Sequence, residues 1–188
     1  MPILCFIVVA VVAYLLGSIP TGFLVAKARG IDIRAVGSGN IGAANTFRAI
    51  GRFAGIFVLV IDALKGFAAV KITCLILPLF EVTDPAVAIH YRVVAGIFAV
   101  LGHNYTCWLY FKGGKGIATT AGVYLALAPW AVCMGFAAFL LAVLLTRFTS
   151  VGSMIGAIVL AIVVCLTQSD LTLKLVTIAL CVLALLKH

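Results

Sequence analysis

Residues 1–20 read MPILCFIVVAVVAYLLGSIP, and this apolar run decides the class of fold. A transmembrane helix needs about 20 apolar residues. The run lacks the basic stretch that opens a cleaved signal peptide, so we expect it to be kept as the first membrane span. The Gly17-Ser18-Ile19-Pro20 stretch should kink this span, because proline removes a backbone donor and clashes with the preceding turn.

The composition extends the same interpretation to the whole chain. Of 188 residues, 65% are hydrophobic and 10% are charged, with a mean hydropathy of +1.33. A soluble domain needs many more charges to cover its surface. We therefore predict an all-α, polytopic transmembrane bundle that forms a single domain over residues 1–188. Its seven predicted spans cover residues 2–26, 54–75, 87–108, 117–129, 130–146, 151–168 and 170–186.

Two short patterns predict how the later spans meet. The fourth and fifth spans join at Ala128-Pro129, which favours a tight hairpin. In the sixth span, Gly152 and Gly156 form a GxxxG pattern that permits close contact between helices. Ordinary packing explains this common pattern equally well.

The cations predict the orientation. The formal net charge is +8, from 13 Lys and Arg against 5 Asp and Glu. Cytoplasmic loops collect Lys and Arg, although an anionic substrate would also favour them. Nine cations follow odd-numbered spans and three lie on the other side, which places the N-terminus outside and the C-terminus in the cytoplasm. The nine are Lys27, Arg29, Arg34, Arg48, Arg52, Lys112, Lys115, Arg147 and Lys187, and the three are Lys71, Arg92 and Lys174.

A first glycine-rich segment, residues 36–48, reads VGSGNIGAANTFR. Its glycines let backbone N–H groups converge on an anion. Its small polar side chains supply neutral hydrogen-bonding groups, and its arginine offers a planar fork suited to phosphate. The candidates are Gly37, Gly39 and Gly42, then Ser38, Asn40, Asn45 and Thr46, and finally Arg48.

A second segment, residues 111–120, reads FKGGKGIATT and repeats this chemistry. It precedes a helical pattern whose N-terminus would point at the same anion. A nucleotide P-loop is excluded, because Lys115 is followed by glycine and no strand precedes it. A flexible, positively charged loop is the alternative, but two such loops on one face favour a shared phosphate site. The candidates are Lys112, Gly113, Gly114, Lys115, Gly116 and Thr119.

Three ionisable residues in the spans have open roles. His103, near the cytoplasmic end of the third span, could be a base, a phosphate donor or a structural group. Asp62 and Lys65 are spaced to pair on one helical face. The pair either takes part in the function of the site or has a structural role in bracing the loops.

The sequence lacks the residues that metal-dependent chemistry and another known acyltransferase signature require. Only Asp32 and Asp62 are acidic near the cytoplasmic half, which is too few for a magnesium site. The six cysteines are scattered without metal-ligand spacing. The residue five after His103 is Trp108, so the His-x-x-x-x-Asp acyltransferase signature is absent. We expect no metal, no cofactor and no nucleic-acid partner.

Four motifs together resemble the PlsY family of bacterial acyl-phosphate:glycerol-3-phosphate acyltransferases. They are GSGNIGAAN at 37–45 with Arg48, DALKG at 62–66, LGHNY at 101–105 and FKGGKGIAT at 111–119. The resemblance covers nearly the whole chain. It implies a seven-helix inner-membrane enzyme whose site faces the cytoplasm.

The resemblance also implies a reaction and its residues. A fatty acyl group would pass from acyl phosphate to the 1-hydroxyl of glycerol 3-phosphate, giving 1-acylglycerol 3-phosphate (lysophosphatidic acid) and phosphate. A soluble, PlsX-like synthase would supply the donor. Ser38, Arg48, Lys112 and His103 are the expected catalytic residues, and the remaining candidates would bind phosphate. The family continues into a basic, Asn-containing tail, so ending at Lys187-His188 implies a truncated tail, with His188 as its phosphate-binding start.

Two rival functions remain. A transporter for a small anion could use the same loops as a broken-helix binding site, although the two halves show no inverted repeat. A structural subunit of a larger complex would leave the clustered cations unexplained.

Overall fold

The computed structural model describes residues 2–187, and this part of the chain is all-helical. Its α-helices are α1 (Pro2–Ser18), α2 (Thr21–Lys27), α3 (Ala43–Ala49), α4 (Arg52–Ile76), α5 (Pro85–Asn104), α6 (Ile117–Leu127), α7 (Pro129–Thr146), α8 (Thr149–Thr167) and α9 (Leu171–Leu186). Short 3-10 helices cover Ile33–Ala35, Leu77–Phe80 and Cys107–Leu109.

Each predicted apolar segment contains a helix. Within residues 2–187, five helical stretches are long and apolar enough to cross a membrane, namely Pro2–Lys27, Arg52–Phe80, Pro85–Leu109, Pro129–Thr146 and Thr149–Thr167. Two apolar helices are shorter, Ile117–Leu127 and Leu171–Leu186. The apolar surface on the outside of the bundle matches a hydrocarbon surrounding, where only internally bonded helices are stable.

The predicted breaks occur where proline interrupts the chain. Helix α1 ends at Ser18 and α2 starts at Thr21, so the kink expected around Pro20 is confirmed. Only Ala128 separates α6 from α7, as the proposed hairpin requires. Proline fits both starts, because the first turn of a helix needs no donor from it.

Glycines let the helices pack closely in pairs. A Cβ at Gly66 of α4 would collide with the Thr119 carbonyl of α6, and a Cβ at Gly122 of α6 would collide with the Ala63 carbonyl of α4. Helices α7 and α8 likewise meet at the GxxxG pattern, where a Cβ at Gly156 would lie 2.9 Å from the carbonyl oxygen of Gly135. The predicted close contact is thus confirmed.

Helix α3 lies inside the first glycine-rich segment, where the sequence predicts a loop. Its seven residues are too few to be stable alone. Tertiary contacts hold it, because Asn45 and Thr46 are almost completely buried. Because Arg48 belongs to this helix, the helix sets the direction of the Arg48 side chain.

Candidate functional site

The two glycine-rich segments lie at the same end of the bundle. Ile41 of the first segment forms a small apolar core with Ala26, Ile33 and Leu109, and Leu109 lies just before the second segment. The Thr106 hydroxyl, in the same stretch before the second segment, donates to the Ser18 carbonyl at 2.6 Å and ties this stretch to the end of α1. The predicted meeting of the two segments is therefore present.

Asn45 organises the first segment. Its Oδ1 accepts from the Ser38 N–H at 3.0 Å. Its Nδ2 donates to the carbonyls of Val36 and Asn40, both at 2.9 Å, and to that of Ile33 at 3.2 Å. Since this side chain is only 2% exposed, it holds the loop from inside. The amide also leaves no room for a Cβ at residue 37, where the chain adopts a left-handed φ of +61°.

Most N–H groups predicted to cradle an anion in this segment already have partners. Ser38 N–H is bound by Asn45, Gly39 N–H donates to the Val36 carbonyl at 3.1 Å, and Gly42 N–H donates to Asn40 Oδ1 at 2.8 Å. The Ser38 side chain is exposed, and its hydroxyl forms no hydrogen bond with the described residues. The N–H groups of Ser38, Gly39 and Gly42 are therefore not free to bind an anion.

The second segment folds back beside the last turn of α5. Gly113 N–H donates to the Asn104 carbonyl at 3.1 Å, and Gly114 N–H donates to the His103 carbonyl at 3.0 Å. A Cβ at Gly114 would collide with the His103 imidazole, and one at Gly116 would lie 2.6 Å from Asn104 Oδ1. Because a side chain at either position would collide with His103 or Asn104, glycine is required there. The start of α6 therefore packs closely beside the end of α5.

A buried polar cluster lies beneath this segment. Asp62 and Lys65 pair at 2.9 Å, so their predicted position on one helical face is confirmed. Lys65 Nζ also donates to the Ile19 carbonyl at 2.8 Å, and the Thr21 hydroxyl donates to Asp62 at 3.1 Å. His103 Nδ1 lies 3.7 Å from the same carboxylate. The cluster therefore joins α4 to the break between α1 and α2 and to α5.

His103 is 5% exposed, between Asp62 on one side and Gly114 on the other. This burial favours the structural alternative, in which the imidazole supports the second segment. Neighbouring Asn104 is completely buried, and its amide has no partner among the described residues. The sequence marks it only as part of LGHNY, and our predicted site omits it.

Two cations from different segments share the open end of the site. The Arg48 guanidinium is exposed and donates to Thr149 Oγ1 at 3.3 Å, which connects α3 to the start of α8. Lys115 is half-buried, and burial together with the Arg48 charge lowers the pKa of its ammonium group from the usual value. The two charges are thus close enough to repel, an arrangement that a bound anion would relieve.

The remaining predicted residues lie around this pair. Lys112 is exposed, and Thr119 is buried on the first turn of α6. Lys187, at the end of α9, places its ammonium group 4.3 Å from the centre of the Tyr105 ring, so the end of α9 reaches the same face. His188 lies outside the described residues.

No group of three or more His, Cys, Asp or Glu side chains in residues 2–187 could hold a metal ion.

An apolar groove of about 160 Å³ opens beside the start of α6. Helices α6, α7, α8 and α9 form its walls, and its lining includes Ile117 and Ala118, which directly follow the second segment. Cations and an apolar groove thus adjoin, as a lipid with an anionic head requires.

Comparisons with known proteins agree with this geometry. A family model described as glycerol-3-phosphate acyltransferase matches residues 7–188. The glycerol-3-phosphate acyltransferase of Geobacter sulfurreducens is 43% identical over 182 residues, 97% of this chain and 89% of the relative. That of Trichlorobacter lovleyi is 42% identical over 176 residues, 94% and 86% of the two chains.

Two solved structures share the fold. The crystal structure of PlsY, an integral membrane glycerol 3-phosphate acyltransferase, in its glycerol 3-phosphate form matches with a TM-score of 0.87 and 33% identity over 97% of this chain and 88% of that chain. The lysophosphatidic acid form matches with a TM-score of 0.84 and 32% identity over 97% and 87%. The resemblance based on the motifs is confirmed, and the chain belongs to the glycerol-3-phosphate acyltransferase family of integral membrane enzymes.

Proposed function

We propose that this membrane acyltransferase moves a fatty acyl group from acyl phosphate to the 1-hydroxyl of glycerol 3-phosphate. The products are lysophosphatidic acid and phosphate. The observation that carries the proposal is geometric: Lys115 comes two residues before Ile117 of the groove lining, and Arg48 bonds Thr149, one turn before Ser153 of the same lining. One PlsY structure is described as a glycerol 3-phosphate form and another as a lysophosphatidic acid form, which supports the same pair of ligands here.

The reaction requires positioning and charge neutralisation more than strong activation. Acyl phosphate is a mixed anhydride, so the hydroxyl attacks its carbonyl carbon and the bond from that carbon to the phosphate oxygen breaks. The departing phosphate takes up the hydroxyl proton, which fits a site with few carboxylates. Two anions must lie side by side, and fixed cations in a partly dry site stabilise them throughout the reaction.

The described residues divide this work between binding and support. Arg48, Lys112 and Lys115 neutralise the phosphates, and the first turn of α6, with Thr119, adds free N–H donors at a helix N-terminus. The Ser38 hydroxyl donates a hydrogen bond to the acyl-phosphate head.

The other residues give the site its shape. Asn45, Asn40 and their glycines hold the first segment. His103 and Asn104 support the second through Gly113, Gly114 and Gly116. His188, which follows Lys187 in the sequence, is a further phosphate-binding residue in this proposal.

We propose one domain with seven spans in a bacterial inner membrane, with the N-terminus outside and the site facing the cytoplasm. The nine cations of the odd-numbered loops and the C-terminus support this orientation. A cytoplasmic site would receive acyl phosphate from a soluble, PlsX-like synthase.

The direct test is incubation of the purified protein with glycerol 3-phosphate and acyl phosphate, acyl-CoA or acyl carrier protein. Lysophosphatidic acid should form with acyl phosphate, and phosphate release should depend on both substrates. Uptake of labelled glycerol 3-phosphate into empty liposomes, without a donor and without lipid product, would support the transporter instead. The enzyme is favoured because buried side chains close the inner end of the groove.

Ser38→Ala is expected to lower kcat/KM for acyl phosphate by about 10- to 100-fold, since a hydrogen bond to a charged group is lost. The backbone should keep its bond to Asn45, because the N–H is unchanged. Steady-state kinetics should be compared with those of Ser169→Ala, a change to an exposed serine at the other end of the bundle. Equal kinetics for both variants would make Ser38 a turn residue only.

Activity is expected to decline as the pH rises. The decline should occur at a lower pH than the titration of an ordinary lysine would give. Burial and Arg48 lower the pKa of Lys115, so its charge is lost as pH rises through that lowered value. In Lys115→Arg the charge persists at alkaline pH, so the decline of kcat/KM should move to higher pH even if the maximum falls. An unchanged alkaline limb would assign the titration to another group.

A further inference from the structure

The apolar groove has a well-defined inner end. On α6 its lining runs from Ile117 to Tyr124, and on α9 it runs from Ala184 to Thr177. Tyr124 lies seven residues after Ile117, which corresponds to about 10 Å of helix. On α8 the lining ends inside the bundle at Leu160, and on α7 it ends at Val132.

A chain of hydrogen bonds closes this end. The Tyr124 hydroxyl donates to Thr177 Oγ1 at 2.6 Å, and the Thr177 hydroxyl donates to the Leu173 carbonyl at 2.6 Å. Tyr124 and Thr177 are each 1% exposed. Beyond them lie Val164 and Leu173, which are also buried, so the groove has no continuation. In an apolar interior these bonds fix the ring across the groove.

We propose that the Tyr124–Thr177 pair is the floor of the acyl-chain groove and sets the acyl-chain length that the enzyme prefers. The inference rests on the proposed function. A chain that enters beside Ile117 with its head on the cations would extend along α6 and meet the Tyr124 ring. Longer chains would have to bend out between the helices, which forfeits the contacts that favour shorter ones.

The test is kcat/KM against a graded series of saturated acyl phosphates. Tyr124→Ala removes the ring, so the preferred chain should lengthen, and the kcat/KM ratio of longer to shorter donors should rise about tenfold or more. Ala121→Leu fills the groove one turn before the floor, so the preferred chain should shorten. Opposite shifts in the two variants are the expected result.

A matched control is Tyr91→Ala. Tyr91 is also 1% exposed, but it stacks on Phe6 with ring centres 3.9 Å apart, away from the groove. This variant should lose comparable packing without any change in chain preference. If Tyr124→Ala fails to fold, Ala121→Leu still tests the floor.

Binding of lysophosphatidic acids of graded length should be measured on the same proteins. A chain-length preference that is unchanged in Tyr124→Ala and Ala121→Leu, in turnover and in binding, would overturn the floor. An unmodified chain that forms no lysophosphatidic acid from any acyl phosphate would instead overturn the proposed function, while the binding series would still decide the role of the floor.

Discussion

Replacing Arg48 or Lys115 with alanine is expected to lower kcat/KM for glycerol 3-phosphate by about 10²–10³-fold, the usual cost of removing a preorganised charge-stabilising group. The two cations come from different segments and lie close enough for Arg48 to lower the pKa of Lys115. Removal of either one leaves a phosphate incompletely neutralised. Lys112→Ala should have a smaller effect, because no hydrogen bond to another described residue holds its exposed side chain in place, whereas Thr149 holds Arg48.

Two controls separate substrate recognition from general charge and from folding. Arg52→Ala removes an exposed arginine that lies over the Phe53 ring at 5.0 Å, and its kinetics should stay near those of the unmodified protein. Thr149→Val removes only the partner of Arg48, which tests the support from α8. Thermal unfolding should be similar for all of these variants. Normal kcat/KM in both Arg48→Ala and Lys115→Ala would reject the shared phosphate site.

The sequence predicts the parts of this molecule that depend on local pattern. Apolar runs of span length give the helices, Pro20 and Pro129 give the breaks, and the spacing of Asp62 and Lys65 gives their pairing. These features follow from chain stiffness and helical period, which need no knowledge of distant residues.

The features that the sequence does not predict depend on contacts between distant parts of the chain. Helix α3 forms because Asn45 bonds carbonyls up to twelve residues away, since seven residues are too few for propensity alone to give a stable helix. Among the occupied N–H groups of the first segment, that of Ser38 is bound by the same side chain. The burial of His103 and Asn104 depends on how closely the second segment folds back on α5. Residue types thus identify the site, whereas tertiary packing decides which of them can reach a substrate.

Asp62→Ala is expected to reduce the free energy of unfolding by about 3–5 kcal/mol, the usual cost of removing one partner from a buried ion pair. The remaining Lys65 is only 5% exposed on its side chain and would keep an uncompensated charge. The Thr21 hydroxyl would lose its hydrogen-bond acceptor, and His103 would lose the carboxylate that lies 3.7 Å from its Nδ1. Activity should fall with stability, since the second segment rests on this cluster.

Chemical denaturation in detergent measures this effect, with Asp32→Ala as the matched control. Asp32 is also paired, at 2.9 Å to Arg34, but this pair is exposed and water replaces it readily, so the loss should be far smaller. The double variant Asp62→Leu/Lys65→Met should recover much of the lost stability, because it removes both charges and keeps the volume. If that variant is stable but inactive, the pair serves the site by positioning the second segment. If Asp62→Ala is as stable as Asp32→Ala, the cluster does not brace the fold.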